Sequence, residues 1–407
     1  HDALPILKLS LFPSILVPDL YLKKSKCRQL RITAHSGLRR MAGYNQQYGY
    51  AVSMNKKELW INQIKGLCIC LVVIYHSVIT FYPHLTTFQH PLSELLSKCW
   101  IYLNLYLAPF RMPVFFFISG YLIRRYIDSV PWTTCVEKRI WSIAWVLILW
   151  GVVQWLALVT LNNWLAPQRD LSHAANAAYA GSIAGFTHGM LTASTSLWYL
   201  YALIVYFVLC KIFSRWAVPL LALFVALSVA INFVPTPWWG MNSVIRNLPW
   251  YSLGAWFGAT LMVWIKEVPL RRHALIVLVS AIAAIVAWLA NVSLLLSLLS
   301  IVLIMKLFYQ FELRFGMRES GPLSVIGANT IAIYTTHRIL VELFSLTLIP
   351  NINHAAWPAY AELAQLLVYP FACLLLCTSF GLLVRKISQK TVADLLFSPP
   401  SLSVVSR

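Results

Sequence analysis

Lys65-Gly66-Leu67-Cys68-Ile69-Cys70-Leu71-Val72-Val73-Ile74-Tyr75-His76 is the stretch whose reading decides the fold. It lies inside an apolar segment from about Leu59 to Tyr82, long enough to cross a bilayer as a helix. Two ionisable side chains interrupt it, Lys65 and His76. At roughly 100° per residue their spacing brings both to within about 20° of one direction, so they share a face. At ~1.5 Å per residue they stand about 16 Å apart along the axis, near half the hydrocarbon thickness. Titratable groups are expensive in lipid, so this face is predicted to look into a protein-lined or wet cavity built by the rest of the chain.

Composition agrees. Of 407 residues 59% are hydrophobic and only 11% charged, with a mean hydropathy of +0.70; a soluble domain carries about 25% charged residues. The apolar runs are continuous and lack the period-2 alternation of a membrane β-barrel. The chain is therefore expected to be an all-α, polytopic helical membrane protein. About ten transmembrane helices are expected, at 59–82, 100–123, 140–161, 196–214, 216–233, 247–265, 273–290, 293–311, 323–348 and 361–384. Loop charges alternate with this count. One side holds Arg124, Arg125, Lys138, Arg139, Lys211, Arg215, Lys266, Arg271, Arg272, Arg314, Arg318, Arg385, Lys386 and Lys390; the other holds Lys98, Arg169 and Arg246. Cytoplasmic loops gather Lys and Arg, which places both termini in the cytoplasm. It also accounts for most of the net charge of +19. The basic residues sit at helix ends and form no stripe, which argues against a nucleic-acid partner and leaves membrane lipids. Trp60, Trp100, Trp132, Trp164, Trp238, Trp239 and Trp357 fall near span ends, as interfacial anchors do. The eight cysteines show neither zinc-ligand spacing nor a disulfide framework, so no metal is expected.

Three segments follow from this pattern. Residues 1–53 carry eight Lys or Arg against Asp2 and Asp19, and Pro13, Pro18 and Asp19 break their one apolar patch. They are expected to be a disordered or non-native extension, with the biological start at Met54 or Met41; the alternative is a basic cytoplasmic arm. Residues 54–390 form the membrane domain, and 391–407 a cytoplasmic tail.

Besides Lys65 and His76, two stretches carry chemistry. Arg111-Met112-Pro113-Val114-Phe115-Phe116-Phe117-Ile118-Ser119-Gly120-Tyr121 places an Arg and a Pro inside a span. Pro frees a backbone carbonyl one turn back and Arg brings five donors, so Arg111 either satisfies kinked backbone or serves an anionic oxygen. Ser119-Gly120 reads as a helix-packing site. Gly327-Ala328-Asn329-Thr330-Ile331-Ala332-Ile333-Tyr334-Thr335-Thr336-His337 puts a second His deep in a span. Arg338 and Glu342 follow, an i,i+4 pair that neutralises itself within the bilayer. For each His a hydrogen-bonded packing role competes with general-base work, which neutral imidazole suits. Lys65 and Lys306 both also fit residues that snorkel to the inner interface.

Together the three stretches resemble acyltransferase family 3, the bacterial inner-membrane O-acyltransferases that decorate surface and periplasmic glycans. Lys65 and His76 match its basic residue, ten residues, then His. Arg111, Pro113, Phe115, Phe116, Ser119, Gly120 and Tyr121 match its Arg-x-Pro-x-Phe-Phe-x-x-Ser-Gly-Tyr stretch. Gly327, Thr330, Ile333, Tyr334 and His337 fit its late pattern. The resemblance covers about Lys56 to Lys386. The chain departs from the pattern at Ser196-Leu197-Trp198-Tyr199-Leu200, where relatives often begin with His. At Lys138-Arg139-Ile140-Trp141-Ser142 it keeps the first Arg of an Arg-x-x-Arg element and loses the second.

The resemblance implies transfer of an acyl group, acetyl or succinyl, from acyl-CoA to a glycan hydroxyl, with no resident cofactor. His76 is then the general base or an acyl relay, and Arg111 the oxyanion stabiliser. Lys65 guides the donor, Arg124, Arg125, Lys138 and Arg139 hold CoA phosphates, and His337, Trp198 and Tyr199 line the acceptor side. The alternative is a transporter or flippase for a small or lipid-linked glycan, since intramembrane His, Arg and Glu also mark transport paths. Inverted repeats would favour it, and the two halves show no internal similarity.

Overall fold

The computed structural model describes residues 58–400, apart from 172–173, 270, most of 272–292, 317, 355–356 and 390. The segment 1–53, the start at Met54, most of the span expected at 273–290 and the end of the tail lie outside these residues. Among the described residues all regular structure is helical.

The first helix, α1 (Leu59–Phe81), is the hub. It is followed by α2 (Pro91–Tyr106) and α3 (Ala108–Asp128), which adjoin at Leu107. A π-helical turn at Val136–Trp141 leads into α4 (Ser142–Leu165). A short helix α5 (Ile183–Leu191) precedes α6 (Trp198–Ile212) and α7 (Ala217–Ala230). Next come α8 (Trp239–Ser252) and α9 (Gly258–Glu267), joined by a π-helical segment Leu253–Phe257. The last four are α10 (Leu294–Phe315), α11 (Pro322–Ala328), α12 (Thr330–His354) and α13 (Ala359–Ser388).

Helix α1 packs against α3, α10, α11, α12 and α13. It and α12 are the most buried candidate spans, each with 61% of its most apolar window buried, against 33% for α4 and α13. The outer helices turn long apolar residues away from the protein, Ile148 and Leu156 on α4 and Leu375 and Leu383 on α13. That is the surface lipid requires.

Six helices among the described residues are long and apolar enough to cross a membrane, or seven if one bent pair is a single span. Among the described residues ten are not confirmed, and most of the span expected at 273–290 lies outside them. Helices α6 and α7, expected as successive spans, meet at 80°. At 1.5 Å per residue each is only about 22 Å long, short of the hydrocarbon core. Pro219 sits in the first turn of α7, where a missing N–H costs nothing. The span expected at 247–265 falls on α8, the π segment and α9, which are not apolar enough to join the six. The span expected at 323–348 is broken at Asn329 into α11 and α12.

Two glycine contacts fix the register of the centre. A β-carbon on Gly66 would stand 2.2 Å from the Leu323 carbonyl oxygen, and one on Gly327 would stand 1.7 Å from that of Asn62. Helices α1 and α11 therefore touch backbone to backbone, which only residues without a side chain permit. Likewise a β-carbon on Gly120 would meet the Tyr251 oxygen at 2.1 Å, and one on Gly254 the Phe117 oxygen at 2.1 Å. This bears out Gly120 as a packing position.

Two lysines close helix ends. Lys211 Nζ donates to the carbonyls of Tyr126 (2.7 Å), Ile127 (3.3 Å) and Val130 (2.8 Å) at the end of α3. Lys306, expected to snorkel, is buried instead and donates to Ile265 (2.6 Å), Lys266 (3.3 Å) and Val268 (2.6 Å) at the end of α9. A cation suits the negative pole of a helix, and its three donors satisfy carbonyls that have no intrahelical partner. The segment Val392–Leu396 folds back on α4, where Trp145 and Trp150 donate their indole N–H groups to the Leu395 (2.6 Å) and Leu396 (2.8 Å) carbonyls.

Candidate active site

The close approach of α11 to α1 carries α12 alongside α1 and brings the two histidines together. The rings of His76 and His337 lie 5.1 Å apart between centroids, tilted by 48°. His337 is fully buried, and its Nδ1 is 2.7 Å from the Tyr334 carbonyl oxygen. A carbonyl only accepts, so Nδ1 carries the proton and Nε2 holds the lone pair. That Nε2 and the Nδ1 of His76 are both buried without a hydrogen-bond partner. Two adjacent imidazoles, each with an unpartnered nitrogen, are equipped to accept a proton.

Arg111 lies in the first turn of α3, ahead of Pro113, and is buried. Its guanidinium sits 4.1 Å over the Tyr75 ring, and Nη1 is 3.5 Å from Asn104 Oδ1. Tyr75 in turn packs edge-on against His76 with centroids 5.0 Å apart. The Arg111 contacts are with neutral groups. A buried cation held by a ring and an amide is costly, and it is the kind of charge that gains when an anion forms beside it.

On the other flank, Tyr334 lies 5.7 Å from the His337 ring and donates its hydroxyl to the Ser196 carbonyl at 2.6 Å. Tyr199 packs edge-on to Tyr334, stacks on Phe115 at 4.8 Å and shares a 2.7 Å hydrogen bond with Ser119. Trp198 contacts Phe116 at 5.8 Å. The motif residues of α1, α3, α6 and α12 thus form one connected set. Among the expected site residues, His76, Arg111, His337, Tyr199 and Trp198 belong to it. Ser119, expected only to pack, also bonds Tyr199.

Lys65 is half-buried on α1, three turns from His76. The remaining basic residues gather at the far end of α3. Arg124 stacks on Tyr121 at 4.0 Å and donates to its carbonyl at 2.8 Å. Arg125 and Lys138 are exposed. Arg139 reaches back from the π-helical turn to lie 4.0 Å over Tyr126, with its Nε buried and unpartnered.

The Arg338–Glu342 pair is larger than its spacing suggested. Glu342 is fully buried; its Oε1 accepts from Arg169 (2.8 Å) and Asn162 (3.2 Å), and its Oε2 from Tyr179 (2.7 Å) and Arg338 (3.3 Å). Arg338 also donates to Thr80 Oγ1 at 2.7 Å, four residues beyond His76. Arg169 and Tyr179 come from a loop more than 150 residues upstream. A lone arginine in the segment between α4 and α5 was the only available signal.

A model of the acyltransferase 3 family, described as an acyltransferase domain, matches residues 58–383. The chain belongs to this acyltransferase family. It is also 76% identical over 349 residues, 86% of this chain and 98% of the relative, to the inner membrane protein YcfT of Escherichia coli (strain K12). No solved structure matches.

Proposed function

We propose that the protein is an integral inner-membrane O-acyltransferase, with both termini cytoplasmic, that moves an acyl group from acyl-CoA to a hydroxyl of a glycan or related periplasmic acceptor. The observation that carries the reading is the adjacent pair of buried imidazoles, His76 and His337, with Arg111 one ring away. The acceptor oxygen attacks the thioester carbonyl carbon while His76 takes its proton. The carbonyl electrons move onto oxygen, where the Arg111 charge stabilises them. The C–S bond then breaks, and the imidazolium returns its proton to the departing CoA sulfur.

Arg124, Arg125, Lys138 and Arg139 hold the donor phosphates, since guanidinium groups pair with phosphate in a planar fork. Lys65, on the shared face of α1, guides the thioester toward His76. Trp198, Tyr199 and His337 form the acceptor wall. Acetyl and succinyl are the groups to test first. The decisive experiment supplies purified protein with acetyl-CoA or succinyl-CoA and periplasmic glycan and follows acyl-glycan by mass spectrometry. Acylated product with the wild type and none with His76→Ala is the expected result. Movement of unmodified glycan across proteoliposomes without acylation would replace this reading with a transporter.

A further inference from the structure

A cavity lies away from His76 and His337. It has a volume of about 710 Å³ and is lined in part by Asn163, Arg169, Tyr179, Ser182, His188 and Trp238. Its size falls within the range of small-ligand sites. Trp238 is 40% exposed and edge-on to His188, with centroids 6.2 Å apart. The neighbouring Trp239 is anchored by its indole N–H to the Ala175 carbonyl at 2.7 Å, so this aromatic wall is built and held. Aromatic faces beside hydroxyl and amide groups suit a sugar, with its apolar and polar faces.

The floor of the cavity carries a guanidinium. Arg169 and Tyr179 line it and are bonded to Glu342 behind it. The cluster holds two guanidinium groups, Arg169 and Arg338, against one carboxylate. Both Glu342 oxygens already accept two hydrogen bonds each. Arg338 is buried, whereas the Arg169 side chain is 33% exposed. Arg169 is therefore the guanidinium of the cluster that reaches the cavity wall. Among the described lining residues there is no carboxylate. Glu342 is five residues past His337, about 8 Å further along α12.

We propose that this cavity is the acceptor subsite and takes an acidic saccharide, its carboxylate or phosphate paired with Arg169 and a ring against Trp238. The proposal rests on the acyltransferase reading for the word acceptor, and on the cavity alone for the ligand class. Guanidinium pairs with either anion in a two-point geometry.

The test uses full-length protein in nanodiscs of neutral lipid, with glucuronic acid, glucose 1-phosphate, glucose and inorganic phosphate as calorimetric probes. Both acidic sugars are expected to bind about tenfold tighter than glucose, the yield of one charge-assisted contact. Phosphate is expected to compete with them. Arg169→Gln is expected to erase the preference and Arg169→Lys to keep part of it. Trp238→Ala, outside the buried cluster, is expected to weaken all three sugars and leave phosphate unchanged. Equal binding of glucose, or a preference that survives Arg169→Gln, would overturn the proposal. So would displacement of glucuronic acid by nanodiscs containing anionic phospholipid, which would make the occupant a lipid headgroup. If Arg169→Gln does not fold, wild-type competition by phosphate decides, and its failure overturns the assignment. Hydrolysis of acetyl-CoA without acceptor, followed on the same preparations, reports on acyl transfer independently of this cavity.

Discussion

Gly327 lies so close to α1 that a methyl group in its place would stand 1.7 Å from the carbonyl oxygen of Asn62. The contact is backbone on backbone, so no side chain can swing away to make room. Gly327→Ala must push α11 off α1, and α12 follows with His337. Overpacking of this kind costs about 1–3 kcal/mol. The expected outcome is a lower thermal midpoint in detergent together with a steep fall in acyl transfer. Full activity at an unchanged midpoint would show that the two helices are not held in this register.

Glu342 is the counter-charge for Arg338, and Arg338 is the residue beside His337. Glu342→Ala leaves a buried guanidinium without its carboxylate, a change worth about 3–5 kcal/mol. Thermal denaturation of the purified variant is expected to show that loss, and acyl transfer should fall with it. A midpoint within a degree of the wild type would mean that the cluster does not support the site.

Tyr179 gives the same cluster a pH signature. Burial pushes its phenol up to about 12; Arg338 opposes the shift and Glu342 adds to it. An unfolded tyrosine loses its proton near pH 10. The folded state thus binds this proton more tightly, and the stability it contributes is complete below pH 10 and lost as pH rises through about 12. The difference in thermal midpoint between wild type and Tyr179→Phe is expected to shrink across that window. Parallel curves from pH 9 to 12 would contradict it.

Tyr199 shares its hydroxyl with Ser119 and stacks on Phe115. Tyr199→Phe keeps the ring and removes one neutral hydrogen bond, worth about 1 kcal/mol. The variant is expected to fold, with a several-fold rise in the KM for acceptor and little change in the KM for acyl-CoA. An effect on the acyl-CoA KM alone would move Tyr199 to the donor side.

Much of this site was legible along the chain because the bilayer makes polar residues conspicuous. Lys65, His76, Arg111 and His337 stand out among apolar neighbours, and helical periodicity alone put Lys65 and His76 on one face. The glycines of the motifs also carried meaning, since Gly66, Gly120 and Gly327 all mark close backbone approach. What hydropathy does not encode is the direction of a helix after a break. The 80° turn between α6 and α7 and the break at Asn329 arise from local backbone geometry and tertiary packing. The partners of Glu342 were hidden for a different reason. Arg169 and Tyr179 lie in a loop, and a contact spanning 173 residues leaves no local pattern. Lys306 misled because a lysine near a span end has two outlets, the interface or a nearby helix C-terminus.

The most direct test of the account follows hydrolysis of radiolabelled acetyl-CoA by the purified protein without any acceptor, where water replaces the hydroxyl. Wild type, His76→Ala and Arg111→Ala are compared at matched folding. The account predicts slow hydrolysis by the wild type, loss of it in both variants, and retained CoA binding in His76→Ala. Hydrolysis at the wild-type rate by His76→Ala would contradict the assignment of this histidine as the base.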